Sequence, residues 1–305
     1  HDVDCCMDSS QGKVLVFYRD SGNSNYGTGV VGTVSGTGIS FGTPAVFESA
    51  TTTHISCDFD NYNGKALVAY RDSGNSSYGT AITADYQLNY GSAAVFESAH
   101  TQNPDVTYDP NADRFLISYR DMDNSYYGTA IVATISGSSV SYGTAVVFSS
   151  ANTTDPMGAC DTTNNKVVVT YVVSGSIKAI VGTISSTSVS FGSEAVVTSN
   201  TAYLHNNTAI AYDPDTGRVA VGYFDSTDAS HGKIALGTVS GTSISFGTPF
   251  RFNAGTTYYV NVVYNKGTDN FVVTYEDYGN SGYLTSIIIE GGGNRNRDVL
   301  QNHRK

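Results

Sequence analysis

Three stretches of the chain read almost alike: YRDSGNSNYGT from Tyr18, YRDSGNSSYGT from Tyr70 and YRDMDNSYYGT from Tyr119. Each sets an arginine (Arg19, Arg71, Arg120), a carboxylate (Asp20, Asp72, Asp121), a carboxamide (Asn23, Asn75, Asn124) and an aromatic ring (Tyr26, Tyr78, Tyr127) in one short loop. Such a set suits saccharides, because aromatic faces stack on sugar rings while carboxylates and amides bind hydroxyls. Several shallow sites on one rigid face would gain roughly 100-fold by avidity on a polymeric glycan. A purely structural reading competes. The Asp accepts hydrogen bonds from the amides of its own loop, Gly and Asn take the positive-φ positions, and the Tyr caps the hairpin.

Other chemistries have weaker support. The loop resembles the Asp-box of sialidase-type propellers only loosely, because its aromatic falls six residues after Asp20 rather than five, and Asp123 replaces Gly in the third copy. Three arginines converging on one carboxylate would suit a sialidase-like glycosidase, yet Arg19, Arg71 and Arg120 each precede an Asp, and ion pairing with those neighbours explains them. Asp121, Asp123 and Asn124, or Asp213 and Asp215, lack a calcium-loop spacing with a closing Glu. His54, His100 and His205 differ in phase, which argues against a shared metal site, and His1 as a terminal copper ligand is the weaker reading of its position. No catalytic residue, metal or cofactor is expected. Cys5, Cys6, Cys57 and Cys160 all fall in first strands of units, which are expected to be buried; Cys5 and Cys57 share a phase and form a candidate disulfide, while free buried thiols are the alternative. Asn75, Asn152 and Asn206 are glycosylation sequons.

The loops belong to a repeat. Tyr18 recurs as Tyr70, Tyr119, Tyr171, Tyr223 and Tyr275, at spacings of 52, 49, 52, 52 and 52, and a second marker, Asp8, Asp60, Asp109, Asp161, Asp213 and Asn265, keeps the same intervals. Each unit holds four short β-type runs separated by turn residues, as in TAIAYD, RVAVGYFD, KIALGTVSG and SISFGTPFRF. Four antiparallel strands in about 50 residues fit a propeller blade. The expectation is an all-β, six-bladed β-propeller over 1–293, with blades at about 1–50, 51–99, 100–151, 152–203, 204–255 and 256–293. A β-solenoid is the alternative. Small residues in the third runs, Gly32, Ala84, Ala133, Gly182 and Gly237, are expected to let neighbouring sheets approach. In a propeller the hairpins share one face with the segments SATTTH, SAHTQNP, SSANTTDP and SNTAYLHNN.

Composition agrees. The 305 residues carry 27 acidic and 16 basic groups, a formal charge of −11, which argues against nucleic acid as a partner. Hydrophobic residues reach 40%, with 22 Tyr and 13 Phe, enough for a core. No window resembles a membrane span, and no leader pattern opens the chain.

The repeat breaks in three places. The second unit is short between its third and fourth runs (ADYQLNYG), the fourth has a clipped hairpin (YVVSGSIKAIVGT), and the sixth lacks its FGTP-type fourth run. The sixth blade therefore has a degenerate or missing outer strand, and 294–305 is a basic tail available as a closing or donated strand for self-association. Arg295, Arg297, Arg304 and Lys305 lie in that tail, leaving residues 1–293 at −14. The runs VVGTVSGTGISFGTPAVFESA and ALGTVSGTSISFGTPFRF, with the YRDSGNSxYGTA hairpin, resemble repeats of tail-fibre and other virion-surface proteins of marine bacteriophages and of related aquatic microbial surface proteins. The resemblance covers residues 1 to about 290. It implies a non-enzymatic extracellular or virion-surface propeller used for attachment or assembly, binding glycan or a neighbouring subunit; a secreted multivalent lectin and a structural subunit of a fibre or filament are the alternatives.

Overall fold

The computed structural model describes residues 2–199 and 208–290. The chain divides into two compact units, His1–Pro156 with Ile184–Ser190, and Met157–Thr183 with Phe191–Lys305. Apart from one 3-10 turn at Tyr278–Asn280, all regular structure among the described residues is β-strand. Calls that fall on His1, His205, Asn206, most of SNTAYLHNN and the 294–305 tail lie outside the described residues.

In the first unit, β1 (Val3–Asp8), β2 (Lys13–Asp20) and β3 (Tyr26–Ser35) form an antiparallel meander. The expected single fourth strand is divided. β4 (Gly38–Phe41) pairs with the far half of β3, and the start of β5 (Ala45–Asp60) pairs with the near half. The break falls at Gly42, Thr43 and Pro44, where proline cannot donate to a ladder. β5 then bends, and Thr52–Asp60 pairs with β6 (Lys65–Asp72), so one strand of 16 residues closes one repeat and opens the next. The bend is a bulge at which His54 takes a φ of 52°, and Asn103 repeats it at 49°. The pattern continues through β7 (Tyr78–Ala84), β8 (Ala94–Asp109), β9 (Arg114–Asp121), β10 (Tyr127–Ser136), β11 (Ser139–Tyr142) and β12 (Val146–Ser149). The shortened second repeat keeps only an Ala84–Tyr90 bridge where the first has β4.

The fourth repeat comprises β13 (Thr153–Asp161), β14 (Lys166–Val173), β15 (Ser176–Ser185), β16 (Ser188–Phe191) and β17 (Ala195–Thr198). The fifth follows with β18 (Thr208–Asp213), β19 (Arg218–Asp225), β20 (His231–Ser240), β21 (Ser243–Phe246) and the start of β22 (Phe250–Asn265). The sixth takes the rest of β22 with β23 (Asn270–Asp277) and β24 (Tyr283–Glu290). No fourth strand covers β24 among the described residues.

One packing rule holds in both units: a face of one repeat's sheet meets the opposite face of the next. Leu15 and Phe17 pack with Ile55, Val68 and Tyr70, while Leu67 and Ala81 pack with Val106, Ile117 and Tyr119. In the second unit, Val168 packs with Ile210, Val221 and Tyr223, and Ala209 and Ala220 pack with Val262, Val273 and Tyr275. Both sequence markers have structural causes. Tyr70, Tyr119, Tyr171, Tyr223 and Tyr275 are core residues at 0–1% exposure. Asp8, Asp60, Asp109, Asp161 and Asp213, also buried, accept the amides of the turn that follows, as Asp60 does from Tyr62 and Asn63 at 2.8 and 3.0 Å. Of the small third-strand residues, Ala84 and Ala133 lie in the cores between neighbouring repeats as expected, whereas the three glycines have a different use. A Cβ at Gly32, Gly182 or Gly237 would meet Phe41, Phe191 or Phe246 of the same repeat's fourth run, so they seat that ring rather than a neighbouring sheet.

Candidate functional site

The arginine-bearing hairpins lie in the first unit, and each is built the same way. Strands β2 and β3 close on the pair Asp20↔Tyr26, β6 and β7 on Asp72↔Tyr78, and β9 and β10 on Asp121↔Tyr127. Asp20 Oδ1 accepts from Gly22 at 3.0 Å, Asp72 Oδ1 from Gly74 and Asn75 at 2.9 and 3.2 Å, and Asp121 Oδ1 from Asn124 at 3.1 Å. Among the positive-φ positions of these turns, only Asn25 is of the Gly or Asn type expected. They are Ser24 and Asn25, Ser76 and Ser77, and Ser125 and Tyr126, the central pairs of turns closed by Tyr26 N–H to Asn23 O, Tyr78 N–H to Asn75 O and Tyr127 N–H to Asn124 O. A tight turn of this hand matches the twist of the flanking strands, and that need places the left-handed pair next to the Tyr.

The inter-repeat bends lie against these hairpins. Thr52, Thr101 and Thr153 donate their amides to Asn25, Ser77 and Tyr126 carbonyls at 3.0, 3.1 and 3.0 Å. Hairpins and connecting segments therefore share one edge of the first unit. Asn23, Asn75 and Asn124 are exposed there, and Tyr26, Tyr78 and Tyr127 are half-buried.

The arginines differ from the expected alternation of ion pairs. Arg19 pairs with Asp2 at 2.8 Å rather than with the adjacent Asp20. Arg71 and Arg120 have no carboxylate within ion-pair distance among the described residues. The reason lies at the bend: the position that is Asp2 in the first repeat is His54 in the second and Asn103 in the third. Arg71 donates to Ser77 Oγ at 3.1 Å. Arg120 donates to Gln102 Oε1 and Asn152 Oδ1, both at 2.8 Å, and its guanidinium lies 4.5 Å from the Tyr126 ring centroid. The Nε atoms of both arginines are buried without a hydrogen-bond acceptor. Burial lowers the Arg120 pKa against the pull of Tyr126 and Asp155. Gln102 and Asn152 from the connecting segments, and Ser77 and Tyr126 from within the hairpins, thus join the candidate set; for the first two the sequence signal is the connecting segment, which recurs one repeat apart as the hairpin does.

The remaining candidates are dispersed. His100 is exposed; its backbone amide donates to Asp123 Oδ2 and its ring meets Oδ1, both at 3.1 Å, and these bonds, the amide's first, lower the Asp123 pKa. Asp213 and Asp215, on the β18–β19 turn, come together with Asp269 on the β22–β23 turn, and the Tyr264 hydroxyl bridges Asp215 and Asp269 at 2.5 and 2.8 Å. Cys5, Cys6 and Cys57 are free thiols. The partner of Cys57 is Cys6, not Cys5: the Cys6 and Cys57 thiols are in hydrogen-bond contact, and Cys5 is exposed because side chains alternate along β1. The sequon residue Asn152 is engaged by Arg120, and Asn75 sits in its hairpin turn.

No family model and no curated protein matches the chain. Solved structures match along nearly its whole length. The lectin of the fungus Aleuria aurantia, described as a six-bladed β-propeller with a novel fucose recognition mode, aligns over 98% of this chain and 94% of its own at 12% identity and a TM-score of 0.59. NanB sialidase of Streptococcus pneumoniae aligns over 96% of this chain and 68% of its own at 9% identity and a TM-score of 0.62. A variant of AofleA from Arthrobotrys oligospora, with three arginines 53 residues apart replaced by alanine, aligns over 99% of this chain and 86% of its own at 8% identity and a TM-score of 0.61. The chain is all-β and shares the fold of β-propellers.

Proposed function

We propose that the six repeats are the blades of a six-bladed β-propeller that acts without catalysis as an extracellular or virion-surface attachment protein, binding glycan through the hairpins of its first three repeats. One observation carries the reading. Arg71 and Arg120 are half-buried guanidinium groups with no carboxylate partner among the described residues, set beside Tyr78, Tyr126, Tyr127, Gln102 and Asn152, the residue types that hold a sugar ring and its hydroxyls. The lectin neighbour supports it at the level of fold, and the arginine spacing of the AofleA variant is close to the 52 and 49 that separate Arg19, Arg71 and Arg120.

A sialidase-like reading has a specific obstacle. Such chemistry needs a reachable nucleophile, whereas Tyr70 and Tyr119, which do pair with Glu48 and Glu97 at 3.1 and 2.8 Å, are fully buried, and burial with the adjacent carboxylates raises their phenol pKa. A glycan array tests the binding reading: the parent protein binds a subset of glycans, and Tyr26→Ala, Tyr78→Ala and Tyr127→Ala reduce the signal progressively. Silence across the array removes it.

A further inference from the structure

In the first repeat the chain supplies an anion that the second and third repeats lack. Arg19 is held by Asp2 Oδ2 at 2.8 Å, and Asp2 Oδ1 also accepts the His54 amide at 3.3 Å. The same place in the repeat belongs to His54 beside Arg71 and to Asn103 beside Arg120, so the guanidinium is kept and its carboxylate is not. Neutral groups take over. Of the five N–H donors of a guanidinium, Arg120 gives one to Gln102 Oε1 and one to Asn152 Oδ1, while its Nε is buried without an acceptor among the described residues. Arg71 donates to Ser77 Oγ, and its Nε is unmet in the same way. The nearby carboxylates are otherwise engaged. Asp72 and Asp121 accept the amides of their own turns, Asp123 is held by His100, and Asp155, which pulls on Arg120 from beyond ion-pair distance, accepts from Asn103 Nδ2 at 2.6 Å. Packing does not call for a cation at this position, because the fourth and fifth repeats bury Val172 and Phe224 there.

We infer that Arg71 and Arg120 each receive the carboxylate of an acidic saccharide, in the place that Asp2 takes beside Arg19. The inference rests on the glycan reading and names the class of sugar. A carboxylate meets a guanidinium through two parallel charge-assisted bonds, whereas a hydroxyl offers one oxygen. Half-burial helps, because such a pair is screened less by salt than one in open solvent. The tyrosines of the same hairpins, Tyr78 in the second and Tyr126 and Tyr127 in the third, then take the apolar face of the sugar ring. Tyr126 already lies 4.5 Å from the Arg120 guanidinium. The first repeat holds no such site, since its own Asp2 fills the place of the ligand.

The test is an array of oligosaccharides ending in glucuronate or N-acetylneuraminate, set beside the same glycans with the carboxylate reduced to the alcohol and beside neutral and sulfated glycans. The full-length protein should bind the carboxylated forms and bind the reduced forms about 10-fold or more weakly, the loss expected for hydrogen bonds to a charged group. Equal or stronger binding to the reduced, neutral or sulfated forms overturns the inference and leaves the glycan reading standing; silence on every form overturns both. A second comparison leaves Arg71 untouched. Arg120→Gln keeps one site, at Arg71. Adding His54→Asp gives Arg71 the carboxylate that Asp2 gives Arg19, and binding of the carboxylated glycan is lost; adding His54→Asn, which has the same size and no charge, leaves it. Binding that persists with His54→Asp, or that His54→Asn removes as well, overturns the inference.

Discussion

The two units use the same repeat to different ends, most visibly where one first strand meets the next. In the first unit the junctions are polar. Asp4 accepts the Cys57 amide at 2.9 Å, Ser56 Oγ the Val106 amide at 3.1 Å, and Asp58 the Tyr108 amide at 2.7 Å. In the second unit the equivalent positions are Met157, Ala159, Ala209 and Ala211, and the junctions are apolar. The hairpins divide the same way. The arginines of the first three repeats give way to Val172, Phe224 and Glu276, and the fourth hairpin shrinks to a two-residue turn at Ser174 and Gly175. A scaffold that needs only packing can use the second unit's solution. The first unit keeps carboxylates in its junctions and two arginines with no carboxylate partner among the described residues, an arrangement that packing alone does not require.

The largest expected effect breaks the polar junction. Asp58→Leu strands the Tyr108 and Phe59 amides, which Asp58 now accepts at 2.7 Å each, and should cost the first unit about 4 kcal/mol, since each buried unpaired group costs about 1–3. Hydrogen exchange should show the loss in β1–β9 and leave β18–β24 unchanged.

Next comes pH. Burial, against the Tyr108 and Phe59 amides, raises the Asp58 pKa from an ordinary 3.8 to about 6. A raised carboxylate favours folding while protonated, so its contribution is complete below the unfolded pKa and is lost as pH rises through about 6. The difference corresponds to about 3 kcal/mol. Thermal unfolding followed from pH 4 to 8 should show the first unit losing stability across that window, and Asp58→Asn should flatten the slope.

The smallest effect sharpens the contrast at one repeated residue. Tyr70 donates to Glu48, whereas the Tyr275 hydroxyl in the second unit is buried with no partner among the described residues. Tyr70→Phe should cost about 1.5 kcal/mol or more, because the bond is to a charged group, and Tyr275→Phe should be near neutral or stabilising. Denaturant titration of each variant checks the pair.

Much of the fold was legible in the sequence because packing imposes a period: Tyr70 and its counterparts recur since each must fill the same core, and Asp60 and its counterparts recur since each must cap the same turn. What could not be read was whatever depends on two segments meeting. The exchange of Asp2 for His54 and Asn103 beside the arginines lies at the bend from one repeat into the next, the Cys6–Cys57 contact in place of Cys5–Cys57 joins first strands of neighbouring repeats, and the fourth strand divides at Pro44, ahead of the bend. The hairpin motif announced Arg120 and Tyr127. It gave no sign of Gln102 and Asn152, which reach Arg120 from separate bends, or of the stacking by Tyr126.

The most direct test of the proposed recognition face is a comparison on one glycan array of the parent protein, the Arg71→Ala, Arg120→Ala double variant, and His231→Ala at the equivalent hairpin of the second unit. The account predicts glycan binding by the parent, its loss in the arginine variant, and its retention when His231 is changed. Binding that survives removal of both arginines, or that disappears with His231, would contradict it.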